Sequence, residues 1–267
     1  MKFIISTIYS VILLILSNNV GTAQEKNWSQ WRGLNYDGIA SSEQNPPISF
    51  NKKNNIIWSS KIEGRGHGSP TVHGNKVFLA TADESLKTQS LICINRKTGE
   101  RVWTRKVHEG GFPEKSNKKA SQASSTPATD GKLVFVNFLN NGAVYTTAYD
   151  FEGKKIWRQK ISSYILHQGF STSPAIYKSL LIVSADNKGG GAICGLNKNN
   201  GEIVWKINRP KKPNYTSPVI YNLNGRDELM FSDFCEKIEE ISKIAVESGG
   251  MRDSHGVQGD QRLQGTV

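Results

Sequence analysis

The chain has 267 residues, of which 37% are hydrophobic, 9% aromatic and 21% charged. This composition is typical of a globular chain of one or two domains, and it excludes a collagen, a coiled coil and an intrinsically disordered protein. The three cysteines, Cys93, Cys194 and Cys235, form no Cys-x-x-Cys motif. Neither a zinc site nor a disulfide framework is therefore predicted.

Residues 1–23 have the pattern of a secretory signal peptide. Lys2 precedes an apolar stretch from Phe3 to Leu16, and small residues stand before Gln24, where a signal peptidase cuts. The apolar stretch is shorter than the roughly 20 residues that a membrane-spanning helix needs. We predict cleavage after Ala23, a periplasmic or secreted product, and no stable membrane span in the mature chain.

The positive charge of the chain does not predict a nucleic-acid partner. Lysine and arginine outnumber aspartate and glutamate by 34 to 23, a net charge of +11. The lysines stand in separate turns such as Lys52-Lys53, Lys118-Lys119 and Lys211-Lys212. A nucleic-acid-binding domain would instead concentrate them on one helix or stripe, so we interpret this charge as a solvated surface.

Two sequence markers recur with the same phase between residues 24 and 232. The first is a tryptophan that ends a strand-like run: Trp58, Trp103, Trp157 and Trp205. The second is a Ser-Pro or Thr-Pro pair before a short apolar segment: Ser69-Pro70, Thr126-Pro127, Ser173-Pro174 and Ser217-Pro218. A period of about 45 residues is the signature of a repeat architecture.

One period predicts four short strands. They are Pro70 to Val72, Lys76 to Thr81, Leu91 to Asn95 and Arg101 to Lys106, separated by Gly-containing or polar turns. Four strands per repeat indicate one blade of a β-propeller. We predict an all-β fold, a partial propeller of about three and a half four-stranded blades in residues 24–232.

The turn before the last strand of each blade carries a fixed motif. It reads Cys93-x-Asn95-x-x-Thr98-Gly99-x-x-x-Trp103, then Thr147-x-Tyr149-x-x-Glu152-Gly153-x-x-x-Trp157, then Gly195-x-Asn197-x-x-Asn200-Gly201-x-x-x-Trp205. The asparagine is predicted to cap the turn and the glycine to take a positive φ. The tryptophan would pack between adjacent blades. The predicted blade-docking residues are Trp58, Gly99, Trp103, Gly153, Trp157, Gly201 and Trp205.

This motif resembles the tryptophan-docking motif of the pyrroloquinoline-quinone (PQQ) repeat family, with Asn or Tyr in place of the family's usual Asp. The runs Trp28-Ser29-Gln30-Trp31-Arg32-Gly33 and Gly66-His67-Gly68-Ser69-Pro70 are similar to an exported bacterial quinoprotein-like subgroup. The resemblance covers roughly Trp28 to Ser232. Because it implies a ring of seven or eight blades, we expect a C-terminally truncated member with an open ring.

The tail, residues 233–267, departs from the repeat. Asp233 and Glu236 match a capping box, Gly249-Gly250 would end a helix, and four apolar residues fall on one helical stripe: Phe234, Ile238, Ile241 and Ala245. The segment Asn55 to Ile62 resembles an outermost strand that is donated to the last blade. A closed four-bladed ring would need Lys237 to Val246 as a strand, whereas an open ring predicts self-association through its edge.

The resemblance leaves two functional hypotheses. One is a PQQ-dependent alcohol or sugar dehydrogenase with calcium. The family's adjacent Cys-Cys pair and Glu/Asn/Asp calcium ligands cannot be matched here, so no catalytic, cofactor-binding or metal-binding residue is assigned. We favour the other, a non-catalytic binding or scaffold module for a protein, peptide or glycan, without a cofactor, as is implied by the similarity to outer-membrane assembly scaffolds.

A ligand is expected at the end of the ring where the innermost strands begin. The residues predicted to surround this mouth are Arg65, His67, Ser124, Ser125, Ser171, Thr172 and Tyr215. An alternative interpretation is that the hydroxyl groups satisfy backbone groups at the strand starts and that His67 supports a turn. From the sequence alone we favour this second interpretation.

Overall fold

The computed structural model describes residues 27–42, 44–114, 117–232 and 241–245, which form four antiparallel sheets of β-strands. The predicted signal peptide, residues 1–23, lies outside the described residues. Blade 1 contains β1 (Thr71–His73), β2 (Lys76–Asp83), β3 (Thr88–Asn95) and β4 (Arg101–Glu109). Blade 2 contains β5 (Ala128–Thr129), β6 (Leu133–Asn140), β7 (Ala143–Asp150) and β8 (Lys155–Ser163). Blade 3 contains β9 (Ala175–Tyr177), β10 (Leu180–Ser184), β11 (Gly191–Asn197) and β12 (Ile203–Arg209). Blade 4 contains β13 (Val219–Leu223), β14 (Arg226–Ser232) and β15 (Ile241–Ala245).

Each blade is an antiparallel meander, and the predicted partial propeller is confirmed. The innermost strands β1, β5, β9 and β13 contact one another in sequence order. We call the end of the ring where these strands begin the mouth, and the opposite end the base. In the part of the chain that is described, no helix is long and apolar enough to cross a membrane.

The register between the third and fourth strands repeats from blade to blade. Trp103 pairs with Cys93, Trp157 with Ala148 and Trp205 with Gly195. A register shift follows each of these small residues, between Cys93/Ile94, Ala148/Tyr149 and Gly195/Leu196. A bulge next to the residue that pairs with the tryptophan bends the outer strand in the same way in these three blades.

Apolar side chains fill the spaces between blades. Phe78 and Trp103 of blade 1 pack with Val134 and Val136 of blade 2. The corresponding residues of blades 2 and 3 form the largest cluster, which includes Phe135, Trp157 and Leu181. Because the sheets bury both faces, their central strands read as continuous apolar runs.

An N-terminal segment, residues 27–36, crosses the base of the propeller and links all four blades. The backbone of Trp28 pairs with Val72 of β1, and the Ser29 carbonyl accepts from the N–H of Thr129 in β5. The Gln30 side chain accepts from the N–H of Ile176 in β9 at 3.0 Å. The buried Tyr36 follows, and its carbonyl accepts from the Tyr221 hydroxyl in β13.

The helix that the apolar stripe of the tail predicts is wrong for residues 241–245. Residues 241–245 form β15, and Lys243 pairs with Met230 of β14. A spacing of four residues, as between Ile241 and Ala245, fits both a helical turn and one face of a strand. Here the segment pairs with the edge of β14, so it forms a strand. Asp233, Phe234, Glu236, Ile238 and Gly249-Gly250 lie outside the described residues.

Candidate functional site

Three tryptophans make the same contact at three successive blade positions. The indole N–H of Trp58 donates to the Arg96 carbonyl at 2.7 Å, that of Trp103 to Phe151 at 2.9 Å, and that of Trp157 to Lys198 at 2.9 Å. Each acceptor lies in the docking turn of the following blade. The indole ring is thereby fixed between blades at both its apolar face and its polar atom.

The docking glycines accept these rings because they have no side chain. A Cβ added to Gly99 would lie 2.5 Å from Trp58, and one added to Gly201 would lie 2.6 Å from Trp157. Gly153 has φ +83° and faces both Trp103 and Arg105. Any side chain here would combine steric overlap with a left-handed backbone conformation.

The caps of the docking turns differ from the predicted motif in one blade. Asn95 Oδ1 accepts from the N–H of Lys97 at 2.9 Å, and Asn197 Oδ1 accepts from that of Asn199 at 2.9 Å, as the motif predicts. In blade 2 the cap is Asp150, which accepts from the N–H of Lys154 at 2.7 Å. Tyr149 is instead buried in the core, because the turn is one residue shorter there.

The Ser-Pro and Thr-Pro markers connect adjacent blades near the mouth. The N–H of Ser69 donates to Thr126 Oγ1 at 2.9 Å, and the N–H of Thr126 donates to Ser173 Oγ at 3.0 Å. The N–H of Ser173 in turn donates to Ser217 Oγ at 2.9 Å. A proline follows each of these residues, and each hydroxyl satisfies a backbone donor of the preceding blade.

Arg65 and His67 are exposed at the mouth on blade 1. The Arg65 guanidinium donates to the carbonyls of Lys119 and Ala120 at 2.9 and 3.0 Å. The His67 Nε2 lies 3.5 Å from the same guanidinium. Arg65 thus ties the loop after β4 to the mouth while leaving the lysines of that loop in solvent.

Tyr215 forms the opposite part of the mouth. Its hydroxyl lies 2.8 Å from His167 Nδ1, and its ring stacks on the His167 ring at an interplanar angle of 20°. The Ser171 hydroxyl donates to the Tyr215 carbonyl at 3.3 Å. Partial burial raises the pKa of the Tyr215 phenol. The pair presents an exposed aromatic and hydrogen-bonding surface.

Two predicted mouth residues are not accessible to a ligand. Ser125 and Thr172 are 1% and 2% exposed, because they pack inside the blade interfaces. Asn137 donates to the Thr172 carbonyl at 3.3 Å. Ser124 is half-buried and hydrogen-bonded to Ser121 at 2.9 Å. Of the predicted mouth residues, Arg65 and His67 are therefore exposed to a ligand, and Ser124, Ser171 and Tyr215 are accessible in part.

A buried ion pair near the mouth was not evident from the sequence. Asp186 follows β10, and its carboxylate contacts Arg209 Nε at 3.3 Å and Asn214 Nδ2 at 3.4 Å. Burial raises the pKa of Asp186, and the charge of Arg209 opposes this shift. Arg209 also lies over the Phe231 ring at 4.8 Å. The ion pair lies within blade 3, and the contact of Arg209 with Phe231 joins it to blade 4.

Exposed lysines that are far apart in the sequence lie together in the loops at the mouth. Lys118 and Lys119 lie in the loop after β4, Lys188 lies after β10, and Lys211-Lys212 follow β12. The antiparallel meander returns each of these connections to the same end of the propeller. Their positive charges therefore share one face with Arg65.

The described residues do not fit the calcium and quinone site that the family resemblance implies. Cys93 and Cys194 are both buried and lie in different blades, and burial raises the pKa of each thiol to about 11. Among the residues that the structure describes, no group of three His, Cys, Asp or Glu side chains could hold a metal ion.

The repeated docking turns, the meandering blades and the inter-blade hydroxyl contacts define the PQQ-like class of repeat propellers. A family model described as outer membrane protein assembly factor BamB matches residues 39–145 and 87–264. The chain belongs to this family. No curated protein matches the sequence.

Several solved structures are similar to this chain at low sequence identity. A europium-containing methanol dehydrogenase is 20% identical with a TM-score of 0.47, and the match covers 69% of this chain and 33% of that one. A quinohemoprotein alcohol dehydrogenase from Pseudomonas putida is 19% identical with a TM-score of 0.41, covering 60% and 30%. BamB from Moraxella catarrhalis is 13% identical with a TM-score of 0.38, covering 72% and 67%. The match thus spans about a third of the two dehydrogenases.

Proposed function

We propose that this protein is an exported, non-catalytic binding or scaffold module whose mouth binds an acidic segment of another protein. The observation that carries the proposal is the composition of the mouth. Arg65, the five loop lysines and the His167–Tyr215 stack face solvent at one end of the ring. Cations around an exposed aromatic pair suit a ligand that carries carboxylates on a partly apolar chain.

A protein ligand is favoured over a glycan by the family to which the chain belongs. The family model is described as an assembly factor of outer membrane proteins, which implies contacts with polypeptides. Rigid blades also support the mouth, because the hydroxyl contacts of Thr126, Ser173 and Ser217 fix the strand starts beneath the loops. A preorganised surface loses little conformational entropy when a ligand binds.

The direct test is a titration of the mature protein with a glutamate-rich peptide and a glutamine-rich peptide of equal length. We expect binding of the acidic peptide only, with an affinity that falls as salt is added. Reversing three charges, Lys118→Glu, Lys188→Glu and Lys211→Glu, should abolish it. A matched control with three reversed charges, Lys97→Glu, Lys132→Glu and Lys154→Glu, changes exposed lysines of the base and should leave binding unchanged.

Three results would overturn the proposal. They are no binding of the acidic peptide, equal loss in the mouth and base variants, and binding of an anionic polysaccharide in place of the peptide. The dehydrogenase hypothesis has its own test. PQQ with calcium is expected neither to raise the melting temperature nor to support dye reduction with alcohols or sugars, and a saturable melting shift would favour the enzyme.

A further inference from the structure

The first docking tryptophan, Trp58, lies in an extended segment that belongs to none of the four described blades. Trp58 contacts Gly99 and Arg96 as Trp103 and Trp157 contact the turns of blades 2 and 3. Trp58 and Ile62 also pack on the outer face of blade 1, against a small cluster that includes Ile94. Among the described residues, however, no strand pairs with residues 56–62.

This segment also has the exposure pattern of an outermost strand. The residue before each docking tryptophan is an exposed aliphatic residue: Ile57, Val102, Ile156 and Val204 are 91, 50, 42 and 59% exposed. In β4 and β8 this residue is followed by a buried tryptophan and then an exposed residue. Residues 57–59 show the same order, since Trp58 is half-buried and Ser59 exposed.

Blade 4 has no fourth strand among the described residues, and residues 55–62 could supply one. Its described sheet has the order β13-β14-β15, whereas the other three sheets each have a fourth strand beyond the third. The outer edge of β15 therefore offers backbone groups without a described strand partner. An exposed strand edge of this kind is a template for pairing with another chain.

The strand register in blades 1–3 predicts how residues 55–62 would pair with β15. The residue after each Ser-Pro or Thr-Pro pair begins a cross-strand row that ends on the docking tryptophan, as in Ala128, Phe135, Ala148 and Trp157. In blade 4 the same row runs from Val219 through Met230 to Lys243. A fourth strand in register would place its tryptophan opposite Lys243 and the next residue opposite Ser242.

We propose that residues 55–62 of one copy pair with β15 of a second copy, in the register that sets Trp58 opposite Lys243. Each copy supplies residues 55–62 to the outer edge of the other copy's described blade 4 sheet, so the two contacts are equivalent and the dimer closes with twofold symmetry. Ile48 and Phe50, which are 105 and 71% exposed just before this segment, add apolar surface for the same contact.

The test is the mass of the mature protein in solution, by light scattering during size-exclusion chromatography. We expect the mass of two chains, and of one chain for Ser59→Pro, which removes a backbone donor from the pairing strand. Lys52→Pro, in the exposed turn just before residues 55–62, is the control and should stay dimeric. A monomeric parent protein, or a dimer that Ser59→Pro leaves intact, would overturn the proposal.

Disulfide formation tests the register. In a Cys235→Ser background, a chain with Ser59→Cys and a chain with Ser242→Cys should form a covalent heterodimer after mixing and oxidation, because opposed strand positions are within disulfide reach. Pairing Ser59→Cys with Ser85→Cys, which changes an exposed residue of the mouth, is the control and should give none. If a chain carrying both Ser59→Cys and Ser242→Cys links only within itself, the ring closes in one copy and the dimer is excluded.

Discussion

The docking turns are alike from blade to blade, whereas the mouth loops of the same blades differ. The turns repeat: Trp103 on Gly153 reappears as Trp157 on Gly201, with the same indole hydrogen bond and the same buried contact. The mouth loops do not repeat, since one carries Lys118 and Lys119 and another carries the stacked His167 and Tyr215. The recurring contacts stabilise the fold, and the loops that differ are where we propose that a ligand binds.

The largest expected effect is on a repeated contact. Trp157→Ala should lower the free energy of unfolding by about 3–5 kcal/mol, because it removes a buried ring and leaves a cavity between blades 2 and 3. Urea unfolding followed by circular dichroism measures it. Ile156→Ala, the exposed neighbour in the same strand, is the control and should change stability by less than about 1 kcal/mol. Equal losses would mean that the ring is not a docking element.

The next effect depends on pH. Burial and the nearby charge of Arg158 lower the pKa of His108 to about 4. Because the unfolded chain binds the proton at a higher pH, stability is full above pH ~6.5 and falls by about 2–3 kcal/mol towards pH 4. His108→Phe should remove this part of the pH dependence, and the exposed His167→Phe should not. Parallel pH profiles for both variants would contradict the assignment.

A glycine comparison separates docking from backbone strain. Gly142→Ala meets no atom within 4 Å at φ +65°, so it should cost about 1 kcal/mol of strain alone. Gly201→Ala has a similar φ of +78° but meets Trp157, and overpacking should add about 1–3 kcal/mol. Equal shifts in the denaturant midpoint would show that the ring moves away without cost.

A smaller effect is expected where the mouth meets the blades. Ser173→Ala leaves the buried N–H of Thr126 without its acceptor, which should cost about 1–2 kcal/mol. Ser162→Ala removes a hydroxyl at the exposed end of β8 and is expected to be nearly neutral. Thermal melting of both variants distinguishes a structural link from a surface hydroxyl.

The sequence predicted those parts of the fold that repeat. The offset between Gly99 and Trp103 recurs in blades 2 and 3, so the periodicity alone located the strands to within three residues in blade 1. Asp150 was missed as a cap because the motif was aligned on Tyr149, while the shorter turn shifts the capping position by one. The β15 strand was missed because the apolar spacing of Ile241 and Ala245 does not separate a helix from a strand.

The candidate site was predicted only in part, for a physical reason. Its contacts join residues far apart in sequence, as when Arg209 meets Asp186 or His167 meets Tyr215, and no local pattern marks such pairs. Burial was also misjudged at Ser125, since Ser124 beside it is partly accessible. Which of two neighbouring serines faces solvent depends on the packing of the next blade.

The most direct measurement combines both regions in one variant. The protein carrying Lys118→Glu, Lys188→Glu and Lys211→Glu is compared with the parent for melting temperature and for binding of the glutamate-rich peptide. Because these lysines are exposed and lie outside the docking contacts, we predict a nearly unchanged melting temperature and loss of binding. A lower melting temperature with intact binding would contradict the division between a repeated frame and a variable binding face.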